Sequence, residues 1–387
     1  MGSSPEDWSQ PEEMANNVTV GNETANWNDS QVSTSVLFIL VDLLDLYYVP
    51  TIIVMGLVGN LISFAIFIFS VLKKLSLSVY LATLAVSDCL FLLSLAVVWT
   101  DHSGLGLFHR PGWCQVTVYV SYVCSFLSVW CIVSYTIERY IAICHPMLCT
   151  KMCTTGRARI VVVGLCTTSL SIYACSLRIS GMALYEEGEL CTPYLSPDYY
   201  PVHLALTYAD TVVSFFVPFF VILVFNVLIF RKIRFFYNQE NEHVPIASLQ
   251  HCPPHCHRHP NASEICQHNQ AQVKVTKSMF IMSTMFLIIS LPSYVIRVWV
   301  FVADLLLGGF RSSLQDALLQ QLCQCLFYLN YCINIVLYLV CWSKFRRICY
   351  EVVSSSKRRI CRWLSWKHDV RLPQHDVGLF RGDIMLN

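Results

Sequence analysis

The sequence predicts an all-α membrane protein, a bundle of seven transmembrane helices. Three observations lead there. Hydrophobic residues make up 55 % of the chain and charged residues 13 %, against about 25 % charged in soluble proteins. The apolar residues gather in long uncharged runs, each near the ~20 residues that a helix needs to cross a bilayer. Basic residues then fall almost entirely on one side of those runs. Only helices and closed barrels satisfy backbone polar groups in lipid, and the short alternating strands of a barrel are not seen.

The elements follow in order. Residues 1–44 form an extracellular tail with no Lys or Arg before residue 37 and six acids there. The tail carries sequons at Asn17, Asn22 and Asn28, so it is expected to be glycosylated. No apolar run precedes it, so the first span is expected to serve as its own insertion signal. The bundle occupies residues 45–342, with spans near Tyr47–Leu72, Val79–Trp99, Cys114–Ile137, Ile160–Leu177, Leu204–Phe230, Ser278–Val302 and Ala317–Trp342. Lys73 and Lys74 close the first span and mark the cytoplasmic side. Of the 26 Lys and Arg, only Arg110, Arg178, Arg297 and Arg311 then lie outside. The multi-pass chain is therefore expected in the plasma membrane, N-terminus out, with residues 343–387 as a cytoplasmic tail.

Nineteen cysteines cannot form one disulfide framework here, because most lie in spans or in the reducing cytoplasm. Cys114 and Cys191 are both extracellular and are expected to pair. The stretch HCPPHCHRHP, His251 to Pro260, is dense in zinc-type ligands. Its spacing is irregular and no second ligand pair accompanies it. It sits in the third cytoplasmic loop, about residues 237–273, where a mobile polar linker competes with metal binding as the explanation.

Motifs in the spans are similar to those of rhodopsin-like (class A) G-protein-coupled receptors. They run Gly59-Asn60, LAVSD ending at Asp88, Glu138-Arg139-Tyr140, IAICHPM with Met147, Pro218, Pro292, and NYCINIVLY with Asn334 and Tyr338. SKFRRIC looks like that family's short amphipathic eighth helix. The resemblance covers about residues 45–352. It implies that Asp88, Ser128, Asn330 and Asn334 hold an allosteric sodium ion, the alternative being a hydrated polar cluster; no other cofactor is required. It implies that the Glu138–Arg139 pair locks the inactive state and that Met147 presses into a heterotrimeric G protein, the alternative being an ordinary interfacial ion pair. Tyr140, Phe286, Pro292, Asn334 and Tyr338 complete the expected activation path. Cys349 is a candidate for palmitoylation and Ser354, Ser355 and Ser356 for phosphorylation, which would bring in a receptor kinase and arrestin.

Four positions depart from the family. Ser290 stands where span six has a Trp, Ile335 where span seven has a Pro, Cys166 where span four has a Trp, and Asn226 where span five has a Tyr. Phe286 is then expected to carry the rearrangement, span seven to be straighter, and Tyr338 to lack a partner. Within the class, SYTIERYIAICHPM and YLNYCINIVLY look most like thyrotropin-releasing-hormone receptors and invertebrate FMRFamide-like peptide receptors, which favours Gq.

Ser121 and Tyr122 occupy the place where monoamine receptors carry an Asp. Asp210 offers a different acid in outer span five, with Arg297 across the bundle one turn above Tyr294. A buried acid wants a cation. Either Arg297 supplies it, closing the pocket, or a ligand does; the two can alternate. Trp99, Ser125, Gln320, Gln324 and Phe327 complete the expected pocket by family position. The acidic outer face would attract a positively charged ligand. The expected function is reception of a short, cationic, amidated neuropeptide, with a small-molecule chemosensory receptor and a transporter or channel as alternatives. No internal repeat supports a transporter. No catalytic constellation supports an enzyme, and nothing points to nucleic acid.

Overall fold

The computed structural model describes residues 34–101, 104–185, 188–192, 196–242, 260–307, 314–352 and 354. The sequons at Asn17, Asn22 and Asn28, most of the HCPPHCHRHP stretch, and Ser355 and Ser356 lie outside them.

Among the described residues, six helices are long and apolar enough to cross a membrane: Thr34–Phe69, Leu77–Trp99, Trp113–Cys144, Thr155–Ile179, Pro197–Phe235 and Val275–Val300. The seventh span is a bent pair, Leu314–Tyr331 and Asn334–Cys341. Large apolar side chains such as Val54, Met55, Leu61 and Phe69 face outward, which is costly in water and matched in lipid. Residues 343–352 form the eighth helix. Phe345 and Ile348 are buried beneath it while Arg346 and Arg347 face solvent, so it is amphipathic. Arg346 Nη1 donates to the carbonyl of Leu339 at 3.1 Å, capping the last turn of span seven.

Three boundaries differ from the sequence expectation. Span one begins by Thr34, inside the expected tail. The helix of span five runs on to Glu242 and the helix that carries span six begins at Pro260, so described parts of the expected loop 237–273 are helical. Helix propagation explains this: once a span is nucleated, each added residue fixes few dihedrals for one more hydrogen bond. Span seven, expected to straighten without its proline, is bent by 51°. Asn60 Nδ2 donates to the Tyr331 carbonyl at 2.7 Å and Asn334 Nδ2 to the Asn330 carbonyl at 3.2 Å. Side-chain amides therefore supply donors to carbonyls at the break.

Prolines in spans one and five follow wide turns. A π-helical turn at Leu44–Tyr48 precedes Pro50, and another at Val212–Phe216 precedes Pro218. Proline lacks an N–H and crowds the carbonyl four residues earlier, and a π turn gives that carbonyl room. Outside the bundle, strand β1 (Gly181–Tyr185) pairs with β2 (Gly188–Thr192) as an antiparallel hairpin, Met182 opposite Cys191. A disulfide joins Cys191 to Cys114 at the start of span three and fastens the hairpin to the bundle.

The interior is packed in an inner cluster around Leu81, Tyr135 and Tyr338, an outer one around Phe91, Tyr294 and Tyr331, and a third under span four around Phe126 and Tyr173. Span one approaches span seven through Gly59, where an added Cβ would lie 2.6 Å from Ile335 Cγ2. Gly59→Ala is therefore expected to destabilise the protein by about 1–3 kcal/mol. Thermal unfolding in detergent checks this, and Ile335→Ala in the same chain should recover part of the loss.

Candidate functional site

Four polar assemblies interrupt the packed interior. The first is built on Asp88 of span two, which is 1 % exposed. Ser128 Oγ of span three donates to its Oδ1 at 2.6 Å and Asn334 Nδ2 of span seven to its Oδ2 at 2.7 Å. Ser87 pairs with Ser128 at 3.0 Å. Asn330 Nδ2 donates to Ser290 Oγ at 3.0 Å, so the serine that replaces the usual tryptophan joins the network. Asn330 Oδ1 is buried and accepts no hydrogen bond among the described residues. A cavity of about 10 Å³ adjoins Asp88, Ser125, Ser128, Phe286, Asn330 and Asn334. That is near the size that holds a single water, and a carboxylate, a hydroxyl and an orphaned amide oxygen suit a small hard cation equally.

The second assembly lies at the cytoplasmic end of span three. Glu138 and Arg139 are both buried, with Arg139 Nη2 donating to Glu138 Oε1 at 2.7 Å. Ser76 Oγ donates to the same oxygen at 2.7 Å. Tyr140 packs its ring 4.9 Å from that of Phe225. Met147, on the short helix Pro146–Met152, is 85 % exposed and free to meet a partner. Tyr338 is buried against Phe67 and Phe345, with ring centroids at 5.3 Å and 5.1 Å. Asn226 turns to span six instead, donating to Ser283 Oγ at 2.9 Å and accepting from the same hydroxyl at 3.1 Å. Pro292 sits within the span-six helix, and Cys349 is half-buried on the eighth helix, where burial pushes its thiol pKa up.

The third assembly surrounds Asp210 in outer span five. Tyr173 OH of span four donates to Asp210 Oδ1 at 2.6 Å and Ser214 Oγ to the same oxygen at 2.8 Å. Arg297 Nη1 stands 3.6 Å from Asp210 Oδ2, and its side chain remains 32 % exposed. The guanidinium also lies 5.4 Å from the Tyr294 ring centroid. Tyr294 stacks on Phe215 at 4.1 Å, and Tyr122 stacks on Tyr173 at 5.3 Å. The Asp210–Arg297 ion pair, one of the two arrangements read from the sequence, is present in the structure.

The fourth lies elsewhere. A cavity of about 410 Å³ between spans one, two and seven is lined by Asp45, Trp99, Asp101, Gln321, Gln324 and Tyr328, among others. The expected ligand residues therefore do not share one pocket. Trp99 and Gln324 line this cavity; Ser125, Tyr294 and Phe327 line the small one beside Asp88. Ser121 pairs with Ser94 at 2.9 Å. Gln320 is half-buried, and its neighbour Gln321 takes the place in the cavity wall. Helical phase explains the split, since family position fixes depth along a span more firmly than the direction a side chain faces. Tyr173 and Ser76 were missed, and Ser290 was noted only as a departure from the family, not as a partner of Asn330. Tyr173 and Ser76 are ordinary polar residues in sequence, and only the neighbour across the bundle marks them.

A seven-helix membrane bundle with a buried acid in span two, a Glu-Arg pair at the inner end of span three and a span-three disulfide to the second outer loop defines a receptor, not an enzyme. Residues 59–338 match the family described as 7 transmembrane receptor (rhodopsin family), and the chain belongs to that family of G-protein-coupled receptors. Among curated relatives, somatostatin receptor type 4 of Rattus norvegicus is 26 % identical over 302 residues, 76 % of this chain and 68 % of the relative. Somatostatin receptor type 1 of Rattus norvegicus is 24 % identical over 317 residues, 80 % of this chain and 69 % of the relative. The same receptor type of Mus musculus matches at 24 % over 317 residues, with the same coverage of 80 % and 69 %. Membership places the chain in the plasma membrane as a multi-pass receptor.

Tyr173→Phe removes one donor to a buried carboxylate. The free energy of unfolding is expected to fall by about 1.5–3 kcal/mol. Chemical denaturation in detergent measures it, and the loss should shrink when Asp210→Asn is already present.

Proposed function

We propose that this receptor responds to a short, positively charged peptide, amidated at its C-terminus, and passes the signal to a heterotrimeric G protein. The relatives are named for somatostatin, itself a peptide, which supports the ligand class. One observation carries the charge: Asp210 is a buried carboxylate, fixed by Tyr173 and Ser214 and held at 3.6 Å by a partly exposed Arg297. An incoming ammonium or guanidinium can take the place of Arg297 at Asp210. Arg297 then turns to a carbonyl or amide of the ligand. Such an exchange keeps the buried Asp210 carboxylate paired with a cation, as a low-dielectric site demands, and gives the partly exposed Arg297 a hydrogen-bond acceptor. An agonist must also bind the active arrangement more tightly than the resting one; the half-exposed pair is the element whose partner changes. Coupling through Gq rests on the span-three likeness to thyrotropin-releasing-hormone receptors. Arrestin and a receptor kinase are proposed partners of the tail.

Sodium is proposed as an allosteric ligand of the Asp88 cluster. The residues that would hold it are Asp88, Ser128, Asn330 and Asn334, and the bound ion would supply a positive charge that ties span two to spans three and seven. Sodium chloride in place of choline chloride is expected to raise the thermal midpoint of the native chain but not that of Asp88→Asn. An equal response of both would remove sodium from this site.

The function is tested by screening short amidated and free-acid peptides on cells expressing the receptor, read through a promiscuous G protein. A cationic peptide is expected to activate it and to lose at least tenfold in potency on Asp210→Asn, at equal surface expression. Silence across the library would shift the reading to a small-molecule sensor, with Asp210 a structural partner of Arg297.

A further inference from the structure

The loop that joins spans two and three carries a histidine with both ring nitrogens engaged, apart from the Asp210, Asp88 and Glu138 assemblies. His109 Nδ1 accepts the N–H of Cys191 in strand β2 at 2.9 Å, and Nε2 stands 3.3 Å from Asp101 Oδ2 at the outer end of span two. The ring thus joins the hairpin to the bundle at a second point, beside the Cys114–Cys191 bridge. Strand β2 pairs with β1 alone, so its other edge has no strand to meet. The Cys191 N–H finds His109 instead.

Those two contacts fix the position of the ring proton. A nitrogen that accepts an N–H must offer a lone pair, so Nδ1 is bare, Nε2 carries the proton, and the neutral ring donates to Asp101. A second proton can enter only at Nδ1. It would then face the Cys191 N–H, donor against donor, and that bond would be lost. The new charge has an acceptor at hand. Asp101 already faces the ring, and its Oδ1 is buried and accepts no hydrogen bond among the described residues. Water reaches the pair, since the two side chains are 31 % and 25 % exposed.

The neighbouring groups leave Asp101 as the partner. Arg110, next in the loop, donates to the Leu105 carbonyl at 3.5 Å. From the hairpin, Cys191 is disulfide-bonded and does not titrate, and Glu189 is exposed. Asp45 shares the wall of the outer cavity with Asp101 and accepts from Gln321. Phe108 adds an uncharged ring, 5.3 Å from that of His109. Among the described residues, only Asp101 forms an ion pair with His109.

We propose that His109 is a proton-operated latch of the outer hairpin. Neutral, the ring fastens the edge of β2 to the end of span two. Protonated, it turns to Asp101 and releases that edge, while the disulfide keeps the hairpin tethered. Histidine changes charge between about pH 5 and 8, so acid at the outer face opens the latch. Neither ligand nor G protein takes part in the step.

The purified full-length receptor is tested at pH 8 and pH 5 by hydrogen exchange with mass spectrometry, corrected for the intrinsic pH dependence of amide exchange. Protection of the amides in Gly188–Thr192 is expected to fall by about fivefold or more at pH 5, the scale of one lost hydrogen bond. In His109→Asn, the amide oxygen stands where Nδ1 stood and takes no proton, so protection should be the same at both values. Asp101→Asn takes away the charge that receives the imidazolium, so release should need more acid. Histidine ring 15N spectra supply a second readout, with the His109 signals recognised by their loss in His109→Asn. At pH 8 they should show a bare Nδ1 and a protonated Nε2. Hairpin protection that does not change with pH in the unaltered chain, the same acid loss in His109→Asn, or a ring protonated on Nδ1 at pH 8 would each overturn the proposal. The exchange measurement on the unaltered chain decides the matter even where a variant fails to fold.

Discussion

A polar group inside a bilayer must find its partner within the protein, and that constraint organises this receptor more than any apolar contact does. An unsatisfied backbone group in hydrocarbon costs several kcal/mol. The break in span seven leaves carbonyls in need of donors, and the amides of Asn60 and Asn334 reach them. The carboxylate of Asp88 is met by Ser128 and Asn334. Asn334 thus serves both the bent backbone and the buried acid, so spans one, two, three and seven are tied through one connected polar layer. Apolar packing at Gly59 then brings span one close enough for Asn60 to reach.

The same constraint explains how the departures from family pattern are accommodated. Ser290 cannot fill the space of an indole, but its hydroxyl accepts from Asn330. Asn226 does not reach Tyr338; it exchanges two hydrogen bonds with Ser283 and joins spans five and six. Tyr338 is held by rings above the eighth helix instead. Each replacement leaves its polar atoms paired, so the inner half keeps its form with altered contacts.

At the outer end, charge is distributed unevenly between two places. Asp210 is paired with Arg297, and Asp101 meets His109 at the wall of the outer cavity. The hairpin connects them mechanically, since the Cys114–Cys191 bridge anchors it and the Cys191 N–H holds His109 beside Asp101.

Much of this was legible in the sequence because lipid imposes a simple code. Length and apolarity of a run mark a span, Lys and Arg mark its inner end, and a lone acid such as Asp88 marks a functional layer. The bridge Cys114–Cys191 was readable from topology for the same reason, and the pair Glu138–Arg139 from the resemblance of its motif to the receptor family. Tertiary structure decided what depends on rotation about a helix axis and on backbone that leaves the regular helix. Nothing local to Ile335 foretold a 51° bend, because the donors that sustain it sit in another span and one turn away. Nothing near Tyr173 foretold its bond to Asp210, 37 residues on. Whether Trp99, Gln324 and Asp210 face one pocket or two depends on helical phase and close packing, which composition and spacing do not specify.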